Sequence, residues 1–88
     1  MAITIKSLQP LSGIIGGKSI ELDWPGGTLH DLIRFLIERG GPEMEEELKN
    51  KDGNLDYLVS INGKIEKALS TTINDSDEIF FYTPIGGG

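Results

Sequence analysis

Residues 78–88 read EIFFYTPIGGG, a strand-forming run that passes through a proline into three glycines. In this run, Ile79 and Phe81 occupy every second position, which is the period of a strand with one buried face. If Ile79 and Phe81 face the core, Phe80 and Tyr82 face outward. Two outward aromatics beside a glycine tail predict a docking surface for a partner protein.

The tail itself consists of Pro84, Ile85, Gly86, Gly87 and Gly88. Glycine has no Cβ, so the three glycines form a thin and extensible segment that fits a narrow active site. Pro84 restricts φ and stiffens the exit from the strand, and Ile85 offers one apolar anchor. Five extended residues reach about 16–18 Å. We therefore expect a flexible reactive tail, whose chemistry resides in the Gly88 carboxylate.

Upstream of this strand, the sequence predicts one main helix. Thr28 followed three residues later by Asp31 resembles a capping box, which predicts the start of the helix. A basic residue, Arg39, followed by two glycines predicts that the helix ends by Gly41. Between them, apolar residues recur at helical spacing at Leu29, Leu32, Ile33, Leu36 and Ile37. Pro42 then begins a short second helix over residues 42–49.

The remaining strands are predicted at residues 3–8, 20–24, 58–61 and 65–68. The third of these ends in Asn62-Gly63, a tight-turn signal. Residues 9–17 contain one proline and three glycines and are predicted to form a loop. Within it, Leu11 to Ile15 could instead cover the outward aromatics, which would remove the docking surface.

This order of elements predicts an α+β fold, with a mixed sheet of four or five strands packed on one main helix. The first and last strands can lie side by side in parallel, because the helix supplies the crossover. We expect one domain over residues 1–83 and the tail over residues 84–88. The predicted core consists of Ile3, Ile5, Ile20, Leu22, Leu32, Ile33, Leu36, Val59, Ile61, Ile79 and Phe81.

The composition of the chain excludes some classes of function and disfavours others. The chain has 88 residues, no cysteine and a net charge of −6, so cysteine chemistry is excluded and nucleic acid is a poor partner. A partner with a basic face suits such a surface, although acidity also serves solubility. Neither a membrane-spanning run nor a leader-like segment is recognised, and we expect a cytoplasmic protein. No metal site is expected, because His30 is isolated and the acidic run at residues 43–47 fits a solvated helix face.

The last dozen residues, together with the order of elements, resemble the β-grasp, ubiquitin-like sulfur carriers. The small subunit of molybdopterin synthase, a member of that family, typically ends in two aromatics followed by Pro-Pro-Val-Ala-Gly-Gly. Without a gap, the positions that match this ending or carry a similar residue are Phe81, Tyr82, Pro84, Ile85, Gly87 and Gly88. Thr83 in place of the first proline and Gly86 in place of alanine depart from it and loosen the tail.

The resemblance implies a carrier rather than an enzyme. An adenylating enzyme related to the ubiquitin-activating enzymes would convert the Gly88 carboxylate to an acyl-adenylate, and a persulfide donor would turn it into a thiocarboxylate. An acceptor such as the large subunit of molybdopterin synthase would take the sulfur for molybdenum or tungsten cofactor synthesis. ATP would bind the partner, so no cofactor of this chain is expected. Two alternatives stay open: a ubiquitin-like modifier conjugated through Gly88, and a sulfur carrier for thiamin or another metabolite.

Overall fold

The computed structural model describes residues 1–83, and the predictions made for residues 84–88 lie outside this range. The elements follow in the order β1 (Ala2–Ser7), α1 (Leu11–Ile15), β2 (Ser19–Asp23), β3 (Gly27–Thr28), α2 (Leu29–Leu48), β4 (Leu58–Ile61), β5 (Lys64–Ile65), β6 (Thr72–Ile73) and β7 (Glu78–Tyr82). Neither helix of residues 1–83 has the length and apolar character needed to cross a bilayer.

Five strands form one mixed sheet in the order β2-β1-β7-β4-β5, with the N-terminal and C-terminal strands adjacent at its centre. β1 and β7 run parallel, whereas β1–β2, β4–β7 and β4–β5 are antiparallel. The predicted parallel central pair is confirmed, and so is the α+β architecture. A separate ladder joins β3 to β6 and ties the start of α2 to the segment before β7.

α2 begins at the predicted capping box. The Asp31 N–H donates to the Thr28 hydroxyl, and the Asp31 carboxylate accepts from the Thr28 N–H. The helix spans Leu29–Leu48 but is interrupted at Gly41, whose φ of 72° and ψ of −159° are open almost only to glycine. Pro42 starts the second helical segment, as expected.

The loop predicted over residues 9–17 is wrong in part, because α1 lies within it. Leu11 is completely buried, and the short helix packs on α2. It ends at Gly16, where a left-handed φ of 115° lets the N–H groups of Gly16 and Gly17 donate to the Ser12 carbonyl. Because α1 lies on the helix side of the sheet, the expectation that Leu11 to Ile15 could cover the outward aromatics is also wrong.

The core lies between the sheet and the two helices. Every residue of the predicted core is buried except Ile20, which is half-buried. Trp24, which ends the strand predicted at residues 20–24 and was not in the predicted core, is 2% exposed. The buried hydrophobic residues absent from the predicted set are Leu11, Trp24, Leu29, Met44, Leu48, Tyr57 and Ile73.

Candidate functional site: an apolar groove beside the end of β7

The central strand β7 separates its side chains between two faces. Ile79 and Phe81 are fully buried against the helices, whereas Phe80 and Tyr82 lie half-buried on the opposite face of the sheet. Their ring centroids are 5.4 Å apart with an interplanar angle of 73°, an edge-to-face arrangement. This face of the sheet therefore presents two aromatic rings in contact with each other.

The aromatic pair forms one wall of a shallow groove of about 510 Å³. The groove is lined by Leu8, Ser60, Gly63, Ile65, Phe80, Tyr82 and Thr83. Sheet register explains this assembly, because Ser60 pairs with Phe80 on one side and with Ile65 on the other. Leu8 and Ile65 are more than half exposed, so the groove offers apolar surface to solvent.

Further apolar surface extends the groove along β7. Leu58 pairs directly with Tyr82, and its side chain is exposed. Among residues 1–83, three of the five exposed large apolar side chains, Leu8, Leu58 and Ile65, surround the two aromatics. Scattered apolar residues are ordinary on a surface, but a contiguous group of this kind is typical of an interaction site.

The other side of the patch is charged. Lys6 pairs with Phe80 across the β1–β7 ladder, and its Nζ lies 3.3 Å from Glu78 Oε2. Both side chains are partly solvated, so this ion pair adds little stability. It marks a polar boundary beside an apolar centre, which is the usual anatomy of a protein–protein interface.

A hydrogen-bond network holds the start of β7 in place. The Asn62 side chain donates to Asp77 Oδ1 at 2.8 Å and accepts from the Glu78 N–H at 2.9 Å. Asp77 Oδ2 accepts from the Asn74 N–H at 2.8 Å. Asn62 has a φ of 53° and Gly63 a φ of 85°, as in a two-residue hairpin turn. The turn between β4 and β5 is thereby tied to the turn that precedes β7, which fixes the strand that leads to the tail.

The titratable groups His30, Asp31 and Tyr57 do not line this groove. His30 is exposed in the first turn of α2, and no group of three or more metal-ligating side chains within residues 1–83 could hold a metal ion. Hydrogen bonds from Thr28 hold the pKa of Asp31 below its ordinary value, in keeping with its capping role. Burial, reinforced by a hydrogen bond to Glu47, raises the pKa of Tyr57 well above its ordinary value. Both groups serve the fold.

The structure therefore brings Phe80 and Tyr82 together with residues that the sequence did not single out for this site, namely Leu8, Leu58 and Ile65. Thr83, the last described residue, lines the same groove. The predicted tail residues, Pro84 to Gly88, follow Thr83 directly in the sequence, so the groove lies next to the point where the tail begins. Their predicted roles lie outside the described residues.

No protein-family model and no curated protein sequence matches the chain. Solved structures do match: the chain has the fold of ubiquitin-like β-grasp sulfur carriers, and the resemblance predicted from the sequence is confirmed. SAMP1 from Haloferax volcanii is 25% identical with a TM-score of 0.78, each chain being covered over 100% of its length.

Two further structures carry names related to molybdopterin. A putative molybdopterin converting factor subunit 1 from Pyrococcus furiosus is 20% identical, with a TM-score of 0.77 over 97% of this chain and 99% of that one. A complex of subunits 1 and 2 of molybdopterin-converting factor from Helicobacter pylori matches at 22% identity and a TM-score of 0.61, with 100% of both chains covered. At these identities the similarity establishes the fold.

Proposed function

We propose that this protein is a sulfur carrier that delivers a C-terminal thiocarboxylate on Gly88 for molybdenum or tungsten cofactor synthesis. The single observation that supports it most is the position of the apolar groove. It lies on the strand that leads into the Gly-Gly tail and ends at Thr83, the residue before Pro84. A partner seated on Phe80 and Tyr82 would therefore receive the tail within reach of its own active site.

The chemistry needs an activated carboxyl group. The Gly88 carboxylate attacks the α-phosphate of ATP on an adenylating partner, forming an acyl-adenylate and releasing pyrophosphate. A persulfide sulfur then attacks the acyl carbon, and AMP leaves with the bonding electrons. A thiol cleaves the resulting acyl disulfide, becoming oxidised to a disulfide while the thiocarboxylate is released. The chain contributes no catalytic side chain to these steps, in keeping with its lack of cysteine.

The tail residues have separate parts in this proposal. Gly86 and Gly87 let the backbone pass a narrow channel, because they have no side chain to obstruct it. Pro84 directs the tail away from the sheet, and Ile85 anchors it in the partner. The complex of subunits 1 and 2 of the H. pylori factor supports a large-subunit partner of the same kind for this chain.

A modifier function is the second candidate, since one of the structural neighbours is named small archaeal modifier protein 1. The same adenylated Gly88 would then be attacked by a lysine amine of a target protein, forming an isopeptide bond and releasing AMP. The two functions share the groove and the activation step and differ only in the nucleophile.

Intact-mass spectrometry of the protein from its native host separates the two. The carrier predicts a mass increase equal to the difference between one sulfur atom and one oxygen atom, located on the C-terminal peptide. The modifier predicts covalent adducts with other proteins. If the mass stayed unmodified under sulfur-replete conditions with the adenylating enzyme and ATP supplied, both candidate functions would be contradicted.

Deleting Gly88 provides the matched functional test. The truncated protein should accept no adenylate and no sulfur, while its melting temperature stays close to that of the full chain, because residues 1–83, which form the sheet and both helices, are unchanged. Retention of sulfur transfer after this deletion would refute the assignment of Gly88.

A further inference from the structure

One edge of the sheet is open. β2 is the outermost strand on its side, paired with β1 and with no other strand of residues 1–83. The groove described above lies toward the opposite side, where β5 forms the edge. Unpaired edge groups are ready to bond with an added strand, so this edge is a second surface, separate from that groove.

The phase of the β1–β2 ladder defines which backbone groups are free. The Trp24 N–H donates to the Met1 carbonyl at one end. The Ser7 N–H donates to the Lys18 carbonyl at the other end. Because bonding alternates along an antiparallel ladder, the even-numbered residues of β2 bond to β1 and the odd-numbered ones point their N–H and C=O groups outward.

The outward groups belong to Ser19, Glu21 and Asp23, whose side chains are also exposed on the solvated face of the sheet. This edge thus carries a regular row of donors and acceptors beside two carboxylates. A strand added here would gain main-chain hydrogen bonds from these residues. Its side chains on the solvated face would meet the negative charge of Glu21 and that of Asp23, whose 98% exposed carboxylate lies 3.6 Å from the N-terminal ammonium of Met1.

A cavity of about 140 Å³ lies on the other face of the same edge, between β2 and the helices. It is lined by the apolar side chains of Ile14, Ile15, Ile20, Leu22, Leu36 and Met44, and also by Arg39 and Gly40. Its volume, close to the roughly 150 Å³ of a cavity that accepts benzene, is enough for one aliphatic side chain. Alternate residues of an added strand face the side on which Ile20 and Leu22 lie. One aliphatic side chain of that strand would therefore reach the cavity.

A second copy of the chain fits this edge poorly. A two-fold antiparallel pairing centred on Glu21 would set Glu21 directly opposite its own copy, and like charges in that position are destabilising. The net charge of −6 adds repulsion between copies. The same charges favour a basic partner.

We propose that the edge of β2 binds an extended segment of a partner protein. This segment places Lys or Arg opposite Glu21 and Asp23 and inserts one aliphatic side chain into the cavity beneath Ile20 and Leu22. The proposal is independent of the function proposed for Gly88, because it uses neither the tail nor the groove at Phe80.

The probe is a synthetic peptide, Gly-Lys-Val-Lys-Leu-Thr-Gly, blocked at both ends and titrated into the full chain. NMR should record saturable shifts at the amides of Ser19, Glu21 and Asp23, with slowed solvent exchange. Replacing the peptide's leucine by alanine removes three carbon atoms from the cavity and should weaken binding about tenfold or more.

Two variants of the protein sharpen the test. Glu21→Pro deletes an outward donor without removing a bond to β1, and should weaken binding about two- to tenfold. Glu21→Lys should also weaken it, whereas Glu78→Lys, the same charge change on the central strand, should have little effect. Equal losses of peptide affinity for the two lysine variants would overturn the proposal, because the effect would then depend on net charge and not on a charge located on β2.

Three other results would also overturn it. The first is the absence of saturable shifts, and the second is a shift pattern confined to Phe80 and Tyr82. The third is self-association through β2 in sedimentation experiments without peptide, which would make a second copy the occupant.

Discussion

Phe80 and Phe81 are chemically identical neighbours on one strand, and substituting each by alanine separates binding from folding. Phe81 is 0% exposed, and truncating a buried phenylalanine costs about 3–5 kcal/mol. Small domains have free energies of unfolding of about 5–15 kcal/mol. Phe81→Ala should therefore remove about a fifth of the stability or more.

Phe80→Ala should behave in the opposite way. The Phe80 side chain is half-buried, and its ring makes an edge-to-face contact with Tyr82 that is worth about 0.5–1.5 kcal/mol. The loss of stability should therefore stay near 1–2 kcal/mol, roughly the contact plus a partial burial term. Binding should suffer more, because an aromatic anchor at the centre of an interface contributes about 2 kcal/mol or more, close to a 30-fold loss of affinity. Tyr82→Ala should follow the same pattern.

Two assays are needed. Urea unfolding monitored through the fluorescence of Trp24, the sole tryptophan and a buried one, gives the stabilities. Calorimetric titration against the cognate adenylating enzyme and sulfur acceptor gives the affinities. If Phe80→Ala destabilised the fold as much as Phe81→Ala, the assignment of faces would be wrong. If affinity for both partners were unchanged, the docking role of Phe80 would be refuted.

Three further predictions concern the framework. Gly41→Ala should cost about 1–3 kcal/mol from backbone strain alone, since a Cβ there meets nothing within 4 Å; an unchanged urea midpoint would contradict this. Tyr57→Phe should lose about 1–3 kcal/mol with the bond to Glu47. Because the folded pKa of Tyr57 is raised, its contribution is complete below pH 10 and declines as pH rises further, so only the wild type should show this alkaline loss in urea titrations across that range. Asn62→Ala should cost about 1–3 kcal/mol through its side-chain bonds and left-handed φ, whereas Asn62→Gly should cost less; equal thermal shifts would refute the φ argument.

The elements with strong periodicity could be predicted from the sequence. The alternation in β1 and β7 and the capping box at Thr28 depend on local chemistry that the chain displays directly. α1 could not be predicted so readily, because residues 9–17 contain a proline and three glycines, and a five-residue helix is stabilised by packing rather than by propensity. Leu11, Ile14 and Ile15 do have helical spacing, and this is the one local signal for α1 in the sequence.

The candidate site was predicted only in part, because only some of its residues are positioned by local alternation. The parity of β7 places Phe80 and Tyr82 on one face without knowledge of the tertiary structure. Leu8 and Ile65 come from other parts of the chain, and only the sheet order brings them to the same groove. The β3–β6 ladder has two residues per strand, too few for any alternation to appear in the sequence.

The position of β7 also determines how the domain would bear a load. β7 is hydrogen-bonded along its length to β1 in parallel and to β4 in antiparallel orientation. A pull at Thr83 along the strand would load both ladders in shear, so that many bonds must break together rather than one after another. A partner that pulled on this end of the chain would therefore have to break both ladders together before the sheet opened.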